Sequence, residues 1–133
     1  MENAIHRSAI MRAVKAKDTG PEKIVRSMVH RLGFRFRLHR KDLPGKPDIV
    51  FPRLKKVIFV NGCFWHGHIC LRGKRVPVNN REYWVEKIDK NRKRDRKVVG
   101  LLRKLGWQCK VVWECSLKKP ALVSTALTKF LKR

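Results

Sequence analysis

The segment from residue 57 to residue 70, VIFVNGCFWHGHIC, concentrates side chains that can bind a metal ion. Cys63, His68 and Cys70 follow its apolar first half, and Cys115 stands just past another apolar stretch. Three thiolates and one imidazole form a coordinatively closed tetrahedral set, which suits structural zinc. The chain shows no secretory-signal pattern, so its four cysteines favour metal binding over two disulfides. The spacing therefore predicts a zinc site.

Two further residues lie close to this set but outside it. Cys109 lies inside the apolar stretch WQCKVVW, where a buried free thiol is the usual arrangement. His66 lies two positions before His68 and is the alternative histidine ligand; if His68 binds the zinc, His66 is ordinarily a surface side chain beside the zinc loop. Spacing alone gives neither residue a chemical role.

Asp48 and Glu22 are acidic residues with candidate roles in catalysis. Asp48 opens a predicted strand directly after Pro47, and many metal-dependent nucleases place a Mg²⁺-binding carboxylate at such a sheet edge. The next strand offers FVN at residues 59–61, without the second acid and the lysine usual at such sites. A strand-start cap is the structural alternative for Asp48, and a capping box with Thr19 is the alternative for Glu22.

Large aromatic and polar side chains flank these positions. Phe64 and Trp65 lie in the predicted zinc loop, and Trp84 lies near the start of a long predicted helix. Core packing is the ordinary role of such aromatics, and wedging into a nucleic acid duplex is the functional alternative. Lys87 and Asn91 lie one turn apart on the same helix, where they either face solvent or reach base edges.

The charge of the chain indicates a polyanionic partner. There are 34 Lys and Arg residues against 10 Asp and Glu residues, a formal net charge of +24 over 133 residues. Nucleic acid is the simplest partner for such a surface. A membrane is disfavoured because no apolar run reaches the roughly 18 residues that a spanning helix needs. The length favours one domain with one core.

The apolar periodicity predicts the order helix, strand, strand, strand, helix, strand, helix. The predicted helices cover residues 19–33, 82–105 and 120 onwards, and the predicted strands cover 34–40, 47–51, 57–62 and 107–115. The apolar residues expected to face the core include Ile24, Val25, Met28, Val29, Leu32, Phe34, Phe36, Leu38, Ile88, Val98, Val99, Leu102 and Leu105. A strand joined to the next by a long helix indicates a parallel crossover. The expected fold is therefore α/β, with a mixed central sheet flanked by helices.

Five stretches of the chain resemble the very-short-patch repair (Vsr) DNA mismatch endonucleases. In order, they are MRAVKAKDTGPEK, LPGKPDIVF, GCFWHGHIC, EYWVEKIDKNRKRDRK and GWQCKVVWEC. The resemblance spans roughly residues 6–130. It implies a nuclease fold of the restriction-endonuclease PD-(D/E)xK type, with a structural Zn²⁺ and a catalytic Mg²⁺. It also implies a nick 5′ to the thymine of a T:G mismatch.

The resemblance also implies roles for individual residues. Asp48 matches the Mg²⁺-binding carboxylate, and the main-chain carbonyl of Val60 matches the second protein ligand. His66 matches the catalytic histidine, a base or water-orienting group, and Glu22 matches a glutamate near the active site. The positions that match the zinc ligands are Cys63, His68, Cys70 and Cys115. The positions that match duplex-wedging residues are Met11, Phe64, Trp65 and Trp84, and those that match contacts to the mismatched pair are Lys87 and Asn91.

Asn61 departs from the family pattern, which has a second active-site histidine at this position. An amide can donate and accept hydrogen bonds but cannot exchange a proton at neutral pH. Either His66 alone handles the proton, or the rate is low, or the substrate differs from the family norm.

We therefore predict a Mg²⁺-dependent endonuclease that nicks one DNA strand at a T:G mismatch. A single domain is expected over residues 1–133, with a basic DNA-contacting segment at residues 1–18. The alternatives are a related nickase of different sequence or mismatch selectivity, as in defence or restriction, and a zinc-stabilised DNA-binding protein without catalysis. The expected partner is mismatched double-stranded DNA, with other mismatch-repair proteins as further candidates. The protein is expected to act as a monomer in a bacterial cytoplasm, at the nucleoid.

Overall fold

The structure is a computed structural model that describes residues 20–63, 66, 68, 76 and 78–132. Its helices and strands in this part are α1 (Gly20–Arg31), β1 (Arg37–Leu38), β2 (Ile49–Phe51), β3 (Lys56–Asn61), α2 (Arg81–Lys104), β4 (Gln108–Trp113) and α3 (Pro120–Lys132). A short 3₁₀ helix, Glu114–Lys118, joins β4 to α3. The predicted element order is confirmed. The predicted DNA-contacting segment at residues 1–18, which includes Met11, lies outside the described residues.

The four strands form one mixed sheet in the order β1-β2-β3-β4. β1 pairs with β2 and β2 pairs with β3 in antiparallel fashion, whereas β3 and β4 are parallel. The predicted parallel crossover through the long helix is thereby confirmed. In this register Asn61 lies opposite Trp113, so the carboxyl ends of β3 and β4 meet at one edge of the sheet.

Helices cover both faces of this sheet. Side chains alternate between the two faces along a strand, so Ile49 and Phe51 face one way and Val50 the other. The first face packs against α1 and α3, in a core that includes Val25, Val29, Ile58, Val112, Leu127 and Leu131. The second face packs against α2, through Val57, Leu102 and Leu43. The predicted sheet flanked by helices is therefore confirmed.

The first strand is much shorter than predicted. Only Arg37 and Leu38 pair with β2, because His39 takes a left-handed backbone conformation (φ 52°) that ends the ladder. Phe34 and Phe36 precede the paired segment and pack their edges against Phe51 of the core. The apolar alternation therefore extends beyond the hydrogen-bonded strand.

Three predicted core positions are exposed. Ile24 on α1, Leu38 on β1 and Leu105 at the end of α2 lie on the surface. On α1 the expected burial of Val25, Met28 and Val29 is confirmed. Among the described residues, no helix is long and apolar enough to span a bilayer.

Candidate active site

The ends of β3 and β4 bring together a cluster of thiol and imidazole groups. Cys63 lies two residues past Asn61, and Cys115 lies two residues past Trp113, its partner in the parallel register. Candidate ligand atoms of Cys63, His68 and Cys115 all lie within 4.8 Å of one another. The parallel pairing therefore joins two parts of the chain that are 52 residues apart.

The distances in this cluster suit a tetrahedral ion. Sγ of Cys115 lies 3.5 Å from Nδ1 of His68, and the main-chain N–H of Cys115 donates to Sγ of Cys63 at 3.4 Å. A tetrahedral zinc with ordinary Zn–S and Zn–N bonds separates its sulfur and nitrogen ligands by about 3.5 Å. The donors present thus fit Zn²⁺. Cys70, the predicted fourth ligand, lies outside the described residues.

Trp113 supports this cluster from the end of β4. The His68 ring stacks on the Trp113 ring, with centroids 4.2 Å apart and planes inclined at 23°. The His66 ring meets the same indole edge-on, with centroids 6.3 Å apart. One side chain therefore orients both histidines. Cys109, within β4, is a free thiol whose pKa is raised by burial, in agreement with its predicted structural role.

Asp48 immediately precedes β2, next to the middle of the sheet. Its Oδ2 accepts a hydrogen bond from the main-chain N–H of Val60 at 2.7 Å, which fixes the carboxylate against β3. Burial raises the pKa of the Asp48 carboxyl to about 6, and the neighbouring charge of Glu22 also raises it. An ionised carboxylate at this position is therefore costly unless a cation lies beside it.

Asp48 and His66 line one cleft of about 470 Å³. The other residues of its lining include Gly45, Lys46, Phe59, Val60, Asn61, Arg94, Asp95 and Val98. Lys46 and Arg94 supply positive charge in this lining, so the cleft combines carboxylates with cationic groups suited to a phosphate. Asn61 is only 7% exposed, and its amide lies in this lining next to the candidate catalytic groups.

His66 is held by a residue that sequence reasoning did not single out. Its Nδ1 lies 2.5 Å from Oδ2 of Asp95, on α2. An ionised carboxylate can only accept, so Nδ1–H donates to Asp95, and in the neutral imidazole Nε2 is the nitrogen with the lone pair. His66 is thus more than a surface histidine beside a zinc loop. Asp95 lies in a charge-rich run of α2, and the sequence pattern predicted that this run faces solvent.

Glu22 belongs to a second group of polar side chains, which also includes His39 and Asp48. It is 1% exposed, and its Oε1 lies 3.0 Å from Nε2 of His39. Candidate ligand atoms of Glu22, His39 and Asp48 lie within 4.8 Å of one another. Thr19, its predicted capping partner, lies outside the described residues. His39 also escaped the sequence reasoning, because strict alternation put it on a solvent-facing strand surface.

The described candidate DNA contacts lie on the first turns of α2. Trp84 is 5% exposed and meets Tyr83 edge-on, so it packs in the protein, and a role in the duplex stays a prediction. Lys87 is exposed, with its Nζ 5.9 Å from the Tyr83 ring centre, and Asn91 is half-buried. Phe64 and Trp65 lie outside the described residues.

Comparison with known proteins places these features in a family. The family model described as DNA mismatch endonuclease Vsr matches residues 2–72. The chain is 49% identical to the type II nicking enzyme V.XorIIP of Xanthomonas oryzae pv. oryzae, over 94% of this chain and 91% of that protein. It is 44% identical to DNA mismatch endonuclease Vsr of Escherichia coli (strain K12), over 95% and 81%. It is 43% identical to the type II nicking enzyme V.NmeAIP of Neisseria meningitidis serogroup A, over 95% and 89%.

These relatives and the mixed α/β fold define a class: the protein is a DNA endonuclease. More narrowly, the chain belongs to the Vsr family of DNA mismatch endonucleases. The resemblance carried by its five sequence stretches is confirmed.

Proposed function

We propose that this endonuclease nicks one strand of double-stranded DNA 5′ to the thymine of a T:G mismatch, with Mg²⁺ as its cofactor. The observation that carries the proposal is the shared cleft, which Asp48 and the Asp95-held His66 enter from different elements. Lys46 and Arg94 border the same cleft and match the charge of a phosphodiester. A fold of the restriction-endonuclease PD-(D/E)xK type and a single domain over residues 1–133 belong to the same proposal.

Asp48 and the main-chain carbonyl of Val60 are the proposed Mg²⁺ ligands. Both residues line the cleft, and carboxylate and carbonyl oxygens are the donors that Mg²⁺ prefers. The raised pKa of Asp48 supports the fit, because a neighbouring cation would offset the cost of its buried charge. When bound, Mg²⁺ supplies positive charge beside the phosphate and lowers the pKa of water.

His66 is the proposed proton acceptor. Its Nδ1–H is committed to Asp95, so Nε2 can take the proton of the water that attacks phosphorus in line. Asp95 then stabilises the imidazolium that forms, as the buried carboxylate does in a catalytic triad. The P–O bond opposite the incoming water breaks, and one strand is nicked. Asn61, in the same lining, can hold the water or a phosphate oxygen by hydrogen bonds but adds no second proton acceptor.

A structural zinc ion is the proposed support for this site. Cys63, His68, Cys70 and Cys115 are the proposed ligands, and His66 lies between the first two of them. Binding an ion there would fix the loop that carries His66 and hold the ends of β3 and β4 together.

Residues near the start of α2 and in the zinc loop are the proposed DNA contacts. The proposed duplex-wedging residues are Met11, Phe64, Trp65 and Trp84, and the proposed contacts to the mismatched pair are Lys87 and Asn91. Glu22 is proposed to act near the metal site, and residues 1–18 are proposed to contact DNA. A T:G pair is less costly to open than a Watson–Crick pair, which gives wedging residues a basis for selection. The protein is proposed to act as a monomer.

A nicking assay tests the proposal. Labelled duplexes that differ only in one T:G or C:G pair are incubated with the zinc-loaded protein, with Mg²⁺ or with no added divalent ion. Omission of Mg²⁺ is preferable to EDTA, which would also strip zinc. We expect one Mg²⁺-dependent nick on the thymine strand of the T:G duplex. Asp48→Ala should abolish it, whereas Asp42→Ala, which removes an exposed acid paired with Arg40, should not. No nick by the wild type would overturn the proposal.

A nickase with a different target is the second candidate function. Two of the relatives carry the name type II nicking enzyme, and Asn61 departs from the family's histidine. Mg²⁺-dependent nicking of the C:G duplex at an equal rate would favour this candidate over mismatch selection. Duplexes with varied bases on both sides of the T:G pair would then identify the preferred sequence.

A further inference from the structure

Glu22, His39 and Asp48 form a group of candidate metal ligands that the proposed reaction does not use as a set. They come from α1, from the residue after β1 and from the residue before β2, and their ligand atoms lie within 4.8 Å of one another. Asp48 also lines the cleft that holds His66, whereas Glu22 and His39 are not among its described lining residues. Asp48 is therefore the member that this group shares with the cleft.

The closest pair in this group has the spacing of two neighbouring ligands. Nε2 of His39 lies 3.0 Å from Oε1 of Glu22. Adjacent ligands of an octahedral ion with bonds of about 2.1 Å are separated by about 3.0 Å. A divalent ion could thus replace the contact between these atoms with only small movements of the two side chains.

The backbone holds His39 in this position. Its φ of 52° is a left-handed conformation, uncommon for a residue other than glycine. Its main-chain N–H donates to the main-chain carbonyl of Asp48 at 3.3 Å, so the two candidate ligands are tied together through the backbone. The imidazole retains 22% of its exposure, which leaves a path for an ion from solvent. His39 thus has an unfavourable backbone conformation at the point where its imidazole lies close to two carboxylates.

The charges of the group favour a cation. Glu22 is 1% exposed, and its carboxylate lies close to that of Asp48. Arg26 compensates part of this charge, with its Nη2 3.7 Å from Oε1 of Glu22. Two carboxylates and one imidazole suit Mn²⁺ and related transition ions better than Mg²⁺, which prefers oxygen donors alone.

We propose that Glu22, His39 and Asp48 form a second divalent-cation site, which prefers first-row transition ions such as Mn²⁺ to Mg²⁺ and in which the imidazole of His39 is a direct ligand. The site shares Asp48 with the proposed magnesium site, but it does not depend on the protein being an active mismatch nickase. A bound ion would link α1 to the β1–β2 connection and restrain the Asp48 carboxylate.

The test uses the zinc-loaded full-length protein, MnCl₂ as the probe and no DNA. Electron spin-echo envelope modulation detects a nitrogen bonded directly to Mn²⁺, which a site made of oxygen donors alone does not give. We expect ¹⁴N modulation in the wild type, its loss in His39→Gln and its retention in His30→Gln, which changes an exposed histidine of α1. His39→Gln should also weaken Mn²⁺ affinity by about tenfold or more, measured by calorimetry.

Two outcomes would overturn the site. One is the absence of nitrogen modulation in the wild type, a result that does not depend on whether any variant folds. The other is modulation that persists in His39→Gln and disappears in His66→Gln, which would assign the nitrogen to the cleft. A wild-type protein that nicks T:G duplexes with Mg²⁺ but lacks the nitrogen signal refutes only this site. A protein with the His39 signal that never nicks refutes only the proposed function.

Discussion

Nδ1 of His66 and Oδ2 of Asp95 lie 2.5 Å apart, although 29 positions separate the two residues in the chain. This pair links the segment after β3 to helix α2, and it leaves Nε2 as the ring nitrogen that is not bonded to Asp95. Arg94, the residue before Asp95, lines the same cleft. The long helix therefore contributes chemistry to the candidate site as well as packing to the sheet.

Asp95→Asn should reduce the single-turnover nicking rate by about 10²–10⁴-fold, with little change in DNA affinity. The amide can donate to Nδ1, which favours the tautomer with its proton on Nε2, the nitrogen that should accept. Rapid-quench nicking and a binding isotherm separate the two effects. Asp89→Asn is the matched control, because Asp89 lies on the same helix, is exposed and pairs with Lys93. Equal rates for Asp95→Asn and the wild type would remove Asp95 from the mechanism.

Cys115→Ala should lower bound zinc and the melting temperature together. Loss of one thiolate opens a closed site, and the ion's binding free energy is part of the folding free energy. A decrease of about 10 °C or more is expected for a chain of this size. Cys109→Ala is the control, since Cys109 is a free thiol outside the cluster. Metal analysis measures the bound zinc of both variants, and calorimetry measures their melting temperatures. A fully metallated Cys115→Ala protein would contradict Cys115 as a zinc ligand.

Asp48→Asn should stabilise the Mg²⁺-free protein at neutral pH while abolishing nicking. The folded-state pKa of Asp48 is about 6, above the ordinary value of 3.8 expected for the unfolded chain. Between these values the folded protein binds more protons than the unfolded one, so stability falls as pH rises from about 4 to 6 and stays lowered above that. Asparagine avoids this cost and still accepts the Val60 N–H. The free energy of unfolding should rise by at most about 3 kcal/mol at pH 7.5 and by less at pH 5.

Urea unfolding at both pH values measures this gain. Asp42→Asn is the matched control, because hydrogen bonding to Arg40 lowers the pKa of exposed Asp42, so its removal should give no gain. An Asp48→Asn protein less stable than the wild type at pH 7.5 would contradict the expected cost of the buried charge.

Lys56→Met should destabilise the protein by about 2–3 kcal/mol. Lys56 is buried at the start of β3, and its Nζ donates to the main-chain carbonyl of Phe130 at 2.6 Å, near the end of α3. The ammonium thus satisfies a helix C-terminus and its dipole, which methionine cannot do. Chemical denaturation should show the loss, and Lys129→Met, at an exposed site on α3, should not. Unchanged stability in Lys56→Met would mean that water replaces the ammonium at no cost.

Local patterns predicted most of the fold. Apolar periodicity gave the order of elements and the long helix, because a helix or strand must present a continuous apolar face to the core. It failed at Leu38 and Leu105, where an edge strand and a helix end leave apolar side chains in solvent. The periodicity also predicted a longer β1 than the structure has, since alternation does not show where hydrogen bonding stops.

The types of candidate ligand, the basic charge and the family motifs all follow from the order of the amino acids alone. Cys63 and His68 are close in the chain, so their spacing already indicated a metal site. Only the tertiary structure brought Cys115 to them, because the parallel register of β3 and β4 aligns residues 52 positions apart. The contacts of His66 with Asp95 and of His39 with Glu22 form only when separate elements pack together. Such pairs depend on the approach of elements distant in sequence, which periodicity and spacing along the chain do not encode.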